Sequence, residues 1–331
     1  MPIPSTRQNV LDYSVRGPHA VGVLQTEVRS PYSAEPNGET TRLLPTEIWY
    51  PAAPDQPETD DAAHPMGVRH RATPGLSPLE TPGSACPLVA FSHGNSGLRQ
   101  QSTFLTTHLA SWGIVVIAPD HVGNTYPEMM ALPDEEARRS THRRIRGQRP
   151  SDLHAVVQCL LDGGHRSSEL PALDPKRLGL LGHSFGGWTA LKVPALESRV
   201  SAVCCLAPAS EPFVGRKAFD PGELPLPRDT ASLVLAARDD VLVDLETGIR
   251  PLSERLGPDS KLEIIDRADH FHFCDGVEML HEMHEKNPRP NQLHPTRPGS
   301  ELRNEADMHT LLNERVMRFF AENLGMIEGR S

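Results

Sequence analysis

The sequence predicts an α/β fold: a mostly parallel, eight-stranded central sheet with an antiparallel N-terminal edge and helices on both faces. Three observations predict it. Short apolar, β-branched runs recur between longer helical patterns, as in a parallel sheet covered by helices. Two N-terminal segments instead alternate apolar and polar residues across a turn-rich stretch, which marks an antiparallel pair. Finally, 331 residues with 37% apolar side chains are enough to bury a large core.

The antiparallel pair is residues 21–29 and 43–50, joined through Pro36-Asn37-Gly38. The remaining strands are expected at 87–92, 114–118, 177–182, 200–206, 232–237 and 261–265. Helices are expected at 98–112, at 151–161 opening on a Ser151 cap, at 185–196, 245–256 and 304–324. One domain over 1–326 accommodates this pattern, interrupted by irregular insertions at 51–85, 123–148, 207–230 and 275–301. Insertions of that length are usually functional, and the second and third are candidate pocket covers. Residues 327–331, Ile-Glu-Gly-Arg-Ser, carry the signature of a protease site appended for expression.

A net charge of -10 excludes nucleic acid as the expected partner, because phosphate binding needs a concentrated basic surface. One short stretch, Arg138 to Arg149, is basic, and it is read as a solvated, salt-bridged helix face. No apolar run is long enough to span a bilayer, and the first ten residues lack a signal-peptide core. The five cysteines lack metal-type spacing and sit in apolar patterns, as expected of reduced core thiols in a cytoplasmic protein. A secreted form with its signal removed would read the same way.

Chemistry enters at Gly182-His183-Ser184-Phe185-Gly186, which follows a strand and opens a helix. A GxSxG string arises by chance in roughly one chain in ten of this size, so the strand-to-helix context carries the inference. A serine on so sharp a turn needs strained backbone angles and neighbours without Cβ. Ser184 is therefore the expected nucleophile. It needs a base to remove its proton and an acid to orient that base. In a strand–GxSxG–helix arrangement the acid and then the base follow in the chain. Arg238-Asp239-Asp240 ends the next-to-last strand, and Asp240 is preferred over Asp239 because it begins the turn to the next helix; Asp244 is read as that helix's cap. Asp269-His270-Phe271-His272 follows the last strand, and His270 is the expected base.

Acyl transfer also builds an oxyanion, which needs two fixed backbone donors. The amide of Phe185 is one, and Asn95, in the loop His93-Gly94-Asn95 after the third strand, is the other. His93, Gly94, His121, His183 and His272 are candidates to line the substrate pocket. Among them, Gly94 lets the backbone approach, His93 is read as orienting its loop, and His121 as bordering the pocket or bonding to backbone. Phe185 is assigned to the pocket and Trp188 to the core. His281 and His284 have metal-like spacing but no further ligand, and are read as part of a solvated helix.

These residues resemble the α/β-hydrolases related to platelet-activating-factor acetylhydrolases, polyester hydrolases and predicted dienelactone hydrolases. The likeness runs through Thr46-Glu47-Ile48-Trp49-Tyr50-Pro51, Phe91-Ser92-His93-Gly94, residues 118–125, Arg149-Pro150-Ser151-Asp152, the serine motif and Asp269-His270-Phe271. It implies the α/β-hydrolase fold and an ester hydrolase with Ser184, Asp240 and His270 as triad and Phe185 and Asn95 as oxyanion donors. No cofactor and no metal are implied. A serine at 184 departs from true dienelactone hydrolases, which use cysteine. Small or medium soluble esters are the expected substrates. Amide, carbamate or thioester cleavage and acyl transfer by the same triad stay open, as does a homodimer.

Overall fold

A computed structural model describes residues 11–30, 42–54, 56–57, 71–80, 85–163, 169–210, 217–289 and 292–327. The loop with Pro36-Asn37-Gly38 and residues 328–331 of the C-terminal tail lie outside them. All eight expected strands form: β1 (Val21–Ser30), β2 (Arg42–Pro51), β4 (Cys86–Ser92), β5 (Val115–Pro119), β6 (Leu173–His183), β7 (Val200–Leu206), β8 (Ala231–Ala237) and β9 (Ser260–Ile265). A ninth, the two-residue β3 (Thr73–Pro74), comes from the first insertion and pairs parallel to β1. The order across the sheet is β3-β1-β2-β5-β4-β6-β7-β8-β9, with β1 and β2 antiparallel and every pair from β5 to β9 parallel.

Period-two alternation splits the core into two layers. In β4, Leu88 and Ala90 face one layer while Val89 and Phe91 face the other; in β5, Val115 and Ile117 oppose Val116 and Ala118. The first layer is closed by α3 (Glu135–Leu161), α4 (Phe185–Lys192) and α5 (Arg250–Leu256). The second is closed by α1 (Thr103–Ser111) and α7 (Glu305–Asn323). Two further helices, α2 (Tyr126–Met130) and α6 (Val277–Lys286), lie within insertions.

Helix boundaries depart from expectation: α4 passes at Val193 into a 3-10 turn, a π-helical turn at Leu245–Ile249 precedes α5, and two further helices start elsewhere than expected. The predicted helix 98–112 starts only at Thr103, because 95–102 turn to carry loop contacts. The helix expected to begin at Ser151 begins instead at Glu135, capped by Asp134, and runs 27 residues through Pro150. Gly147 and Pro150 argue locally for a break. The helix continues because its inner face is anchored: Ile145, Arg149, Asp152, Leu153 and Val156 are all buried. The second insertion is thus mostly helical. Its outer face is the expected salt-bridged surface, with Arg139 on Glu135 and Arg143 on Glu136. Arg149, at the end of the same basic stretch, points inward and is fully buried.

All five cysteines are free, and four are buried. Among the described residues, no helix is long and apolar enough to cross a membrane.

Phe320 of α7 is fully buried against Gly179 of β6, where a Cβ would collide with its ring. Phe320→Ala is expected to cost about 3–5 kcal/mol in urea unfolding, because the flat glycine strand cannot collapse into the vacated space.

Candidate functional site

Ser184 sits between the last residue of β6 and the first of α4, at φ 55° and ψ −118°. A non-glycine residue rarely adopts such angles, and the strain is held by its surroundings. The Ser184 amide donates to the Leu206 carbonyl (2.8 Å), and its carbonyl accepts from Ala209 (2.9 Å) and Trp188 (3.2 Å). A Cβ at Gly182 would overlap the Gly186 carbonyl, and one at Gly186 would overlap the Ser92 carbonyl. Both glycines are sterically required where β6 turns into α4 beside β4.

The turn lifts Ser184 Oγ to 2.9 Å from His270 Nε2, while His270 Nδ1 lies 2.8 Å from Asp240 Oδ2. Asp240 is fixed in turn, its Oδ1 accepting from the amides of Leu242 and Val243 at 2.8 Å each. Its neighbour Asp239 turns away to Arg297 (2.9 Å), and Asp244 caps the next turn by accepting from the Thr247 amide. Ser184, Asp240 and His270 are therefore brought together; Asp239 is not.

The 93–95 loop lies against this group: a Cβ on Gly94 would stand 3.5 Å from Ser184 Cβ. Gly94 N–H donates to Gln101 Oε1 (2.7 Å), the Gln101 amide donates to His183 Nδ1 (2.8 Å), and His183 Nε2 donates to the His270 carbonyl (3.0 Å). This chain ties the loop to the backbone of His270. The imidazoles of His183 and His270 pack with centroids 4.7 Å apart.

The four histidines named as pocket candidates are held by neighbouring groups, His93 on its own loop as expected. His93, His121, His183 and His272 are all buried, and each has both ring nitrogens engaged within the protein. His93 Nδ1 donates to the Gly94 carbonyl and Nε2 accepts from the His121 amide. His121 takes Ser92 Oγ on Nε2 (2.9 Å) and Asp152 on Nδ1 (3.3 Å). His272 bonds Asp269 and the Arg303 carbonyl. Burial, with Arg149 near two of them, lowers the basicity of His93, His121 and His183 well below the ordinary range, so they are neutral supports. Phe185 is also corrected from pocket to core: it is as buried as Trp188, beneath the Arg149 guanidinium at 4.4 Å.

Arg149 is a buried neighbour of this group that the sequence did not single out. Its guanidinium donates to Asn124 Oδ1 (2.7 Å), Ser92 Oγ (3.1 Å), Thr189 Oγ1 (3.1 Å) and the His93 carbonyl. Asn124 passes the contact on, donating to Asn95 Oδ1 (2.9 Å). Burial pulls the Arg149 pKa down to about 9 with Asp152 opposing, leaving it cationic at neutral pH. Asp152, one turn further on, is paired with the buried Arg42 of β2 at 3.2 Å. The i, i+3 spacing of Arg149 and Asp152 was the available signal.

His281 and His284 are the other corrections. Both are buried, not solvated, and His281 Nδ1 meets Asp269 Oδ2 at 2.8 Å, so that Asp269 joins His281, His272 and the Phe271 amide (2.9 Å). Burial alone would raise the Asp269 carboxyl, but the histidine hydrogen bonds hold it well below the usual range. Among the described residues, no group of three or more His, Cys, Asp and Glu could hold a metal ion.

A ferulic acid esterase from Streptomyces cinnamoneus superposes with a TM-score of 0.65, covering 94% of this chain and 92% of that one at 22% identity. The chain has the α/β-hydrolase fold. Residues 68–148 match the family model for platelet-activating factor acetylhydrolase, isoform II. That segment includes the 93–95 loop and ends before Ser184. Lipase 1 of Moraxella sp. (strain TA144) is 30% identical over 167 residues, covering 50% of this chain and 41% of the lipase. The platelet-activating factor acetylhydrolase of Cavia porcellus is 27% identical over 161 residues, covering 40% of this chain and 37% of that enzyme. The matched regions thus span about two fifths of the curated relatives.

The Asp269 hydrogen bond raises the His281 pKa above 6.5, against the effect of burial. A raised folded-state value means that the pair stabilises fully below the unfolded pKa and loses its contribution as pH rises through the folded one. His281→Asn should therefore lower Tm more at pH 6 than at pH 8.5. An equal loss at both would show that the imidazolium contributes nothing. Gly186→Ala is expected to destabilise by about 3 kcal/mol or more in urea titration, since its Cβ meets backbone on β4.

Proposed function

We propose that the protein is a serine hydrolase of carboxylic esters, with Ser184 as nucleophile, His270 as general base and acid, and Asp240 orienting the imidazole. The observation that carries this reading is the unbroken Ser184–His270–Asp240 hydrogen-bond chain on a strained strand-to-helix turn. The similar proteins named above, a lipase, a platelet-activating factor acetylhydrolase and a ferulic acid esterase, are by name ester hydrolases, which supports the same chemistry.

In the first half-reaction Ser184 Oγ attacks the ester carbonyl carbon as its proton passes to His270 Nε2. Asp240 stabilises the imidazolium through Nδ1. Negative charge gathers on the former carbonyl oxygen, which the backbone amides of Phe185 and Asn95 receive. Collapse of this intermediate breaks the bond to the alcohol oxygen, which leaves with the proton from His270. Water then adds to the acyl-serine with His270 again taking a proton, and the carboxylic acid departs as Ser184 recovers its hydrogen. The Arg149–Asn124–Asn95 chain contributes by holding one donor in place before charge develops, so that the loop does not reorganise during the reaction.

A fluorophosphonate probe tests the nucleophile directly: the wild type should label and Ser184→Ala should not, and labelling that survives in Ser184→Ala overturns the assignment. On p-nitrophenyl esters, kcat should fall on the order of 10⁶-fold in Ser184→Ala and about 10⁴-fold in Asp240→Asn. Arg149→Lys cannot span Asn124, Ser92 and the His93 carbonyl together. It should lower kcat about ten- to a hundredfold while Ser184 still labels, as expected for a misplaced donor rather than a lost nucleophile.

A further inference from the structure

Arginines in this fold are, as a rule, matched to a carboxylate or a carbonyl. Arg42 has Asp152, Arg99 has Glu47 and Asp120, Arg199 has Glu197, and Arg297 has Asp239 and Glu301. Arg289, just beyond α6, is different. Its backbone amide donates to His284 Nε2 (3.3 Å), but its guanidinium makes no hydrogen bond or ion pair to any carboxylate among the described residues. It lies instead over the ring of Phe271, 5.7 Å from the centroid, and that ring packs edge-on against His270 at 5.9 Å. Phe271 also packs on His284 at 4.9 Å. The residue is only partly open to solvent.

A guanidinium withdrawn from water without a counter-charge costs free energy unless a ligand supplies that charge. Among the described residues, its surroundings offer none. The groups that feel it are His183, His284, His142 and Cys274; its positive charge lowers the basicity of these histidines, and burial lowers its own pKa. His142 belongs to α3 on the other side, edge-on to Phe185 at 4.8 Å, and burial with the nearby arginines brings its pKa to about 4. Both neighbouring imidazoles, His142 and His284, are therefore neutral and do not compete for an anion. Phe271 offers a flat apolar surface between the cation and the reacting pair.

We propose that Arg289 is a specificity-determining residue that receives an anionic group of the substrate, so that the preferred esters carry a carboxylate or phosphate besides the scissile bond. This rests on the ester-hydrolase reading of Ser184 and names the substrate class of that site. The apolar segment between the two groups lies along Phe271, the anion meets the guanidinium, and the ester carbonyl reaches Ser184. Recognition of this kind acts through substrate binding, so its loss should appear mainly in KM.

The test uses two matched pairs of esters. One carries the charge on the acyl side, mono-p-nitrophenyl glutarate beside p-nitrophenyl valerate; the other carries it on the alcohol side, 3-acetoxybenzoate beside phenyl acetate. Each is assayed with the full chain as wild type, Arg289→Gln and Arg289→Lys. In at least one pair the wild type should favour the anionic ester. Arg289→Gln should lower the anionic-to-neutral ratio of kcat/KM about ten- to a hundredfold, and Arg289→Lys, which keeps the charge, should restore part of it. Raising the salt concentration should erode the wild-type preference and leave Arg289→Gln unmoved. A ratio unchanged within twofold in Arg289→Gln overturns the inference, as does a wild type with no anionic preference in either pair. If Arg289→Gln does not fold, the Arg289→Lys ratio and the salt dependence decide. Hydrolysis of the neutral esters with no anionic preference sinks only the role of Arg289, whereas hydrolysis of none of the four sinks the ester reading as well.

Discussion

The turn at Ser184 is the constraint around which the molecule is arranged. A serine at φ 55° costs free energy, and it persists because the turn packs so closely on itself and on the end of β4 that no Cβ fits at Gly182 or Gly186. The backbone bonds to Leu206 and Ala209 come from the end of β7 and its following loop, so the strained residue is tied to the neighbouring strand as well as to its own helix. The parallel order β4-β6-β7-β8-β9 then brings the carboxyl ends of β8 and β9 to the same edge, which is where Asp240 and His270 arise.

Around this turn the buried polar groups form linked chains, each ending on a loop that the proposed cycle uses. Arg149 binds Ser92, the His93 carbonyl, Asn124 and Thr189, and through Asn124 it reaches Asn95. Gln101 and His183 connect Gly94 to the carbonyl of His270. Asp269 gathers His272 and His281 immediately before the base. Buried networks of this kind are useful only when satisfied, because an unpaired member costs more than an apolar replacement. The neutral state of His93, His121 and His183 follows from the same burial, which is why residues that look reactive in the sequence are supports in the fold.

Local pattern made the sheet legible. Short β-branched runs are read the same way wherever they lie, and all eight expected strands formed within a few residues. Helices across the insertions were harder, because Gly147 and Pro150 lower local propensity while the burial of Ile145, Arg149 and Leu153 restores the helix. The candidate site divided along similar lines. Ser184, Asp240 and His270 were legible from motif, order and strand ends, and they meet. The pocket histidines were not, since residue type says nothing of what occupies each ring nitrogen.

The sequence by itself determined the α/β class, the eight longer strands, the steric need for glycines at 182 and 186, and the chain order of serine, acid and histidine. These depend on periodicity and on contacts between near neighbours. Only the tertiary structure decided that Asp239 is taken up by Arg297, that Arg149 leaves a basic surface to enter the core, and that Arg289 stands beside Phe271 without a carboxylate among the described residues. Those outcomes depend on which partner lies across a gap of tens of residues, and hydrogen-bond geometry and counter-charge are set there by packing rather than by local pattern.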